Sequence, residues 1–158
     1  MPVWLKRLLE KGSNTTQMNR ITPDGRLTRT EKDENEVSSV IPTLAKLCEQ
    51  DNSVQRAFFC SSGTNQIFKV PREGGFCGYR NIQMLISYIK ESRAPGYEHF
   101  PDRVPTILQL QDMIEQAWDM GINSSGRLET GGIRGTRKYI GTPEVSSVTA
   151  MTIHLVLS

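Results

Sequence analysis

Cys77 stands where two kinds of sequence meet. Glu73-Gly74-Gly75-Phe76 leads into it, and a helical pattern begins directly behind it. Ile82, Leu85, Ile86 and Ile89 follow at i, i+3, i+4 and i+7, and Gly78 continues that stripe toward the N-terminus. At roughly 100° per residue, Cys77 lies roughly 130° from the centre of the stripe, so its thiol points away from the main core. A thiol at a helix N-terminus faces unpaired backbone N–H groups and the positive end of the helix dipole. Both favour negative charge on sulfur, the form that attacks carbonyls. The neighbouring glycines let backbone come close, so an acyl oxygen could rest against the backbone amide of Cys77 as an oxyanion donor. Two other readings stand beside the nucleophile. Free cysteines most often serve as small core residues, and a metal site would need several Cys or His ligands at short spacing. The residues alone keep the core and nucleophile readings open. A metal centre is not expected, because His99 and His154 are the only histidines and lie far from Cys77 and from each other in sequence. Cys48 falls inside its own apolar stripe and Cys60 ends an aromatic run, so both read as structural.

The elements that must position Cys77 follow from periodicity. Residues 1–11 carry Trp4, Leu5, Leu8 and Leu9 on one side of a short amphipathic helix closed by Gly12. About three turns are marginal alone, so this helix is expected to lean on its own domain. Residues 13–37 are polar, with a turn signal at Pro23-Asp24-Gly25, and read as a linker. Residues 1–37 therefore form an N-terminal arm. Val40, Ile41, Leu44, Leu47 and Cys48 repeat at helical spacing, with Pro42 tolerable in the first turn. Residues 57–60 and 66–70 are strand candidates. The helix opened by Cys77 runs to about residue 92. A second one, from about Thr106 to Met120, carries Ile107, Leu110, Ile114 and Ala117, with Gly121 as its stop. Residues 145–158 are rich in Val, Thr and Ile and read as β-prone.

Composition excludes several functions. The 158 residues carry 19 basic and 17 acidic side chains, a formal charge of +2. That balance, with no Lys/Arg cluster, gives no reason to expect direct nucleic-acid binding. No stretch is long and apolar enough to span a bilayer, and the start lacks a signal-peptide core. An intracellular chain with reduced thiols is expected, in cytoplasm or nucleus, with no membrane partner and no cofactor.

The full segment Gly75-Phe76-Cys77-Gly78-Tyr79-Arg80-Asn81-Ile82-Gln83-Met84-Leu85 resembles the active-site segment of the ubiquitin-fold-modifier-specific protease family, closest to its zinc-finger ubiquitin peptidase branch. Those proteins are papain-like cysteine hydrolases that remove ubiquitin or a ubiquitin-like modifier. The resemblance continues through Val104-Pro105 with Ile107, and Met113-Ile114-Glu115-Gln116-Ala117-Trp118. It goes on through Gly135-Thr136-Arg137-Lys138-Tyr139-Ile140-Gly141, ending at Glu144. It implies an α+β, papain-like fold over residues 38–144, present as its N-terminal helical part and a few strands. It also implies Cys77 as the nucleophile and ubiquitin or a ubiquitin-like modifier, with its conjugates, as the partner.

The sequence departs from the family pattern in two places. Many members carry an aromatic-glycine pair directly before the cysteine, where this chain has Gly74-Gly75-Phe76. No match to the family's His or Asp segments is found. In papain-like enzymes the His lies about 130–150 residues after the Cys, whereas this chain ends at residue 158. His154 is the one stand-in, sitting in a β-prone run, but its neighbours do not match the family's His motif and no acidic residue follows it. His99, in a Tyr-Glu-His-Phe-Pro loop, reads as a surface residue. The expectation is a family-derived, C-terminally incomplete chain that is inactive alone, with residues 145–158 outside the resemblance and some apolar surface uncovered. A non-catalytic ubiquitin-binding pseudoenzyme and an autophagy-type cysteine protease relative are the alternatives.

Overall fold

The chain, described by a computed structural model, opens with helix α1 (Val3–Lys11), whose Leu5 and Leu9 turn inward and are buried. The structure describes residues 1–157, with the side chains of Thr30, Lys32 and residues 152–157 outside that description. Strands β1 (Thr15–Ile21) and β2 (Leu27–Asp33) pair antiparallel, with Thr15 opposite Asp33 and Ile21 opposite Leu27. Two-residue strands β3 (Glu36–Val37) and β4 (Gln66–Ile67) form a second small ladder. Helix α2 (Val40–Gln50) lies between them in sequence. Helix α3 (Cys77–Glu91) is followed by a short 3₁₀ turn at Tyr97–His99, then helices α4 (Ile107–Asp119), α5 (Ser125–Thr130) and α6 (Thr142–Leu157). The molecule is thus a mixed helix and small-sheet, α+β structure.

The core lies where α4 meets α1, α3 and α6. Ile107, Leu110, Ile114 and Ala117 are fully buried along one face of α4, as its periodicity requires. A capping box starts this helix: the Thr106 hydroxyl accepts from the Gln109 amide, and the Gln109 side chain accepts from the Thr106 amide. Ile82 and Ile86 of α3 and Ile133 of the following loop close the same cluster. Burying each of these Ile and Leu side chains contributes about 1.5–3 kcal/mol relative to exposure.

Three sequence expectations are corrected. The polar stretch 13–37 is no linker but mostly a hairpin. Its turn closes with the Thr22 amide donating to Arg26 O at 2.9 Å and the Gly25 amide donating to Thr22 O at 2.8 Å. Its strands carry no apolar alternation because β1 is exposed throughout. Polar cross-strand pairs take the place of a buried face, among them the Thr15 hydroxyl donating to Asp33 at 2.8 Å.

The β-prone tail, 145–158, is helical as far as it is described. Glu144, Ser147, Val148 and Met151 are buried at i, i+3, i+4 and i+7, and that stripe against α4 overrides the strand propensity of Val and Thr. Pro143 fits the first turn, and Glu144 accepts from the Gly141 amide at 2.7 Å as a helix-starting carboxylate does.

The third correction concerns the segment before α3. Residues 57–60 form no strand, Cys60 is exposed, and α2 buries none of its residues, leaving Cys48 half-buried. The structural reading of those two thiols rested on packing that the fold does not supply.

Candidate active site

Cys77 is the first residue of α3 and is exposed. The amides of Cys77, Gly78 and Tyr79 precede the first backbone bond of the helix, which Arg80 donates to Phe76 O at 3.2 Å. They are therefore among the N–H groups that a helix leaves without an internal partner. Phe76, directly before the cysteine, is buried, and its ring packs on that of Tyr79 with centroids 5.6 Å apart. The Gly74-Gly75-Phe76 departure thus places the aromatic in the core and not over the thiol.

What lies over the helix start is the strap Arg137-Lys138-Tyr139-Ile140-Gly141. A Cβ on Gly75 would meet the Tyr139 ring at 2.5 Å, and one on Gly78 would meet Ile140 Cγ1 at 2.7 Å and Ile140 O at 3.0 Å. The two glycines on either side of Phe76-Cys77 are there because another stretch of chain crosses at contact distance. Gly74 has φ +88°, and Arg137 Nη2 would lie 3.2 Å from a Cβ there. The strap is held from behind by α4. Gln111, fully buried, accepts from the Gly135 amide at 2.8 Å and donates to Thr136 O at 3.2 Å. Glu115 accepts from the Ile133 amide at 2.6 Å and pairs with Arg127 at 2.8 Å. Burial alone would raise the Glu115 pKa, but the Ile133 and Arg134 amides and the Arg127 guanidinium outweigh it and hold the carboxyl below its ordinary range.

Below the thiol, Arg80 and Gln83 turn inward. Glu73 is fully buried and Arg80 nearly so. Arg80 Nε donates to both Glu73 carboxylate oxygens, at 3.1 and 3.2 Å, and its Nη2 also pairs with Glu73. Arg80 Nη1 donates to Gln83 at 2.7 Å, and Gln83 donates to Pro105 O at 2.6 Å. The Val70 amide donates to Glu73 at 2.9 Å. Sequence reasoning found Arg80 and Gln83 as part of a segment but missed Glu73 as their partner. The signal was an acidic residue seven positions before an arginine on the buried side of α3.

The histidines are not brought to Cys77 by any described contact. His99 is exposed beside Glu98, in the turn anchored by Lys90 to Pro101 O and Asp102 O. That is the far end of a 15-residue helix from Cys77, about 21 Å away along its axis. His154 lies on helix α6 and not on a strand, and its side chain is outside the described residues. Tyr79 is no substitute base. Burial pushes its phenol up to about 12, against the opposing effect of the Gln111 hydrogen bond. Among the described residues no group of three His, Cys, Asp or Glu side chains could hold a metal ion. Among them, too, no helix is long and apolar enough to cross a membrane.

Residues 53–156 match the profile of peptidase family C78, a span that takes in the thiol, the strap and the helices behind them. The chain belongs to peptidase family C78. The match includes residues 145–156, which the motif-by-motif resemblance left out. Individual relatives point to the zinc-finger branch of the ubiquitin-fold-modifier peptidases. Zinc finger-containing ubiquitin peptidase 1 of Bos taurus is 29% identical over 110 residues, 68% of this chain and 19% of the relative. Its Mus musculus counterpart is 38% identical over 74 residues, 46% of this chain and 13% of the relative. Ubiquitin carboxyl-terminal hydrolase mug105 of Schizosaccharomyces pombe is 36% identical over 77 residues, 48% of this chain and 31% of the relative. The matched stretches are therefore under one third of the length of these relatives.

Proposed function

We propose that the chain carries the nucleophile of a papain-like cysteine peptidase acting on ubiquitin or ubiquitin-like conjugates. The observation that carries this reading is an exposed thiol on the first residue of α3, beside backbone amides without helical partners and under a glycine-lined strap. Cys77 sulfur adds to the carbonyl carbon of the modifier's C-terminal glycine, and the Cys77 amide donates to the oxygen that becomes negative. The bond to the leaving amine then breaks, giving a thioester and a free amine. Water releases the modifier's carboxylate and returns the thiol. A general base takes the thiol proton and passes it to the amine, a role typically worth about 10²–10⁴-fold. Neither that base nor its acidic partner is assigned, and His154 remains the candidate to test. The names of the relatives support ubiquitin as the first modifier to offer.

Ubiquitin bearing a C-terminal electrophile tests the assignment. The expected outcome is an adduct on Cys77 that disappears in Cys77→Ala, with the ubiquitin-fold modifier and the autophagy modifier reacting less. Adducts on Cys48 or Cys60 at the same rate would end the nucleophile assignment.

A second reading, a ubiquitin-binding module without turnover, is favoured by one observation. His99, the one histidine whose side chain is described, is at the wrong end of α3. Binding of unmodified ubiquitin with no hydrolysis of a ubiquitin amide would select it. Hydrolysis lost in His154→Ala would select the peptidase.

A further inference from the structure

Glu73, Arg80 and Gln83 are almost wholly withdrawn from water, yet none of them touches the thiol, and the peptidase chemistry uses none of them. Ion pairs so placed are poor stabilisers, because desolvation consumes most of the attraction, and apolar residues of equal volume often hold a core as well. What such a pair does supply is direction. The Arg80 fork fixes Glu73 at two oxygens, Glu73 in turn fixes the Val70 amide, and Gln83 carries the network on to Pro105, one residue before the cap of α4. Three residues separate Glu73 from Cys77, and two of them are glycines with little rigidity of their own.

We propose that this buried network positions the nucleophile, holding residues 70–76 between α3 and α4 so that the Cys77 thiol and amide keep one direction at the helix start. The proposal rests on the reading of Cys77 as the nucleophile and names the residues that make it work. Arg80 is one turn along the helix from Cys77 and is buried where the thiol is exposed. Its side chain cannot meet a substrate, so it is a positioning residue. The glycines that admit the strap also leave this stretch of backbone loose, and the network restrains what they free.

The test is the pH profile of Cys77 alkylation, read by peptide mapping, with Cys60 as the internal control. The double variant Glu73→Met with Arg80→Met removes both charges, so the local charge is unchanged and a moved profile reports geometry. Lys69, Arg137 and Tyr139, which lie against Gly74 and Gly75, and Glu144, which holds Gly141 at the end of the strap, stay as they are. The expected result is a folded chain whose Cys77 reacts about two- to fivefold more slowly at neutral pH, the range set by helix-terminus effects on a charge. The Cys77 profile differs from the parent's and the Cys60 rate is unchanged. Arg80→Lys, which keeps the charge but loses the fork, falls between. An unchanged Cys77 rate and profile in the folded double variant overturns the proposal. Should the double variant fail to fold, Gln83→Met, which removes the bonds from Gln83 to Arg80 and Pro105 and leaves the Glu73–Arg80 pair in place, gives the same readout, and an unchanged profile there overturns the proposal equally. Modifier probes that fail on the native chain would remove the hydrolase reading and leave this test standing, because the alkylating reagent reports the thiol and not the substrate.

Discussion

Gly78 and Gly75 are both contact glycines, but a methyl group would meet different things at each. At Gly75 the obstacle is the Tyr139 ring, 73% exposed and free to swing outward. At Gly78 it includes the Ile140 carbonyl, part of a backbone that Gln111 and Glu115 anchor a few residues upstream. Overpacking against such backbone costs about 1–3 kcal/mol, while replacing a helical glycine by alanine regains up to about 1 kcal/mol. Gly78→Ala is therefore expected to be destabilising on balance and to displace the strap. Gly75→Ala should stay within about 0.5 kcal/mol of the parent. Urea melts of the two variants check the order, and equal stabilities would show that the strap is not seated on the helix as described. The same residues show how much of the site could be read from sequence. Cys77, its off-core direction and the importance of its flanking glycines were all visible, because they depend on spacing within one segment. The obstacle each glycine avoids lies more than 60 residues away, in the strap. No periodicity reports that.

The strap owes its position to α4, and Glu115 is the clearest handle on it. Its carboxyl titrates below the ordinary value of about 4.3, so the folded state binds its proton less readily than the unfolded chain. The resulting stabilisation is fully present above the ordinary carboxylate range and is lost as pH falls through the lower, folded value. Glu115→Gln should lower stability by about 1.5–3 kcal/mol at neutral pH, as expected for hydrogen bonds to a charged group. It should also flatten the acid side of the melting-temperature profile. A variant with the parent's acid slope would mean that Glu115 does not hold the loop. Helix α4 was legible in sequence, since stripe and stop agree. Helix α6 was not. Its Val and Thr content argues for a strand, and only the buried positions at 144, 147, 148 and 151 reveal the helix. The hairpin went unrecognised for a related reason: β1, exposed on both faces, leaves no alternation to find, and the turn at Pro23-Asp24-Gly25 was the trace that remained.

Across the whole molecule the apolar side chains divide into two populations. One set fills the space around α4. The other, including Leu44, Leu47 and Phe58, remains more than 40% exposed, and α2 buries none of its residues. Helices without buried contacts open at low free energy. Amides of α2 should therefore exchange with deuterium well before those of α3 and α4, and equal protection would mean that α2 is packed more firmly than described. Helix α1 is the reverse case, short and yet essential to the interior, because Leu5 and Leu9 sit in the cluster with Ile107 and Leu110. Those partners lie about a hundred residues further along the chain. At a synthesis rate of about 5–20 residues per second, the first helix leaves the ribosome roughly 5–20 s before α4 exists to receive it. Throughout that interval its leucines are open to any apolar surface nearby. A chaperone that waits at the exit tunnel would find in Leu5 and Leu9 an apolar face to hold until α4 arrives.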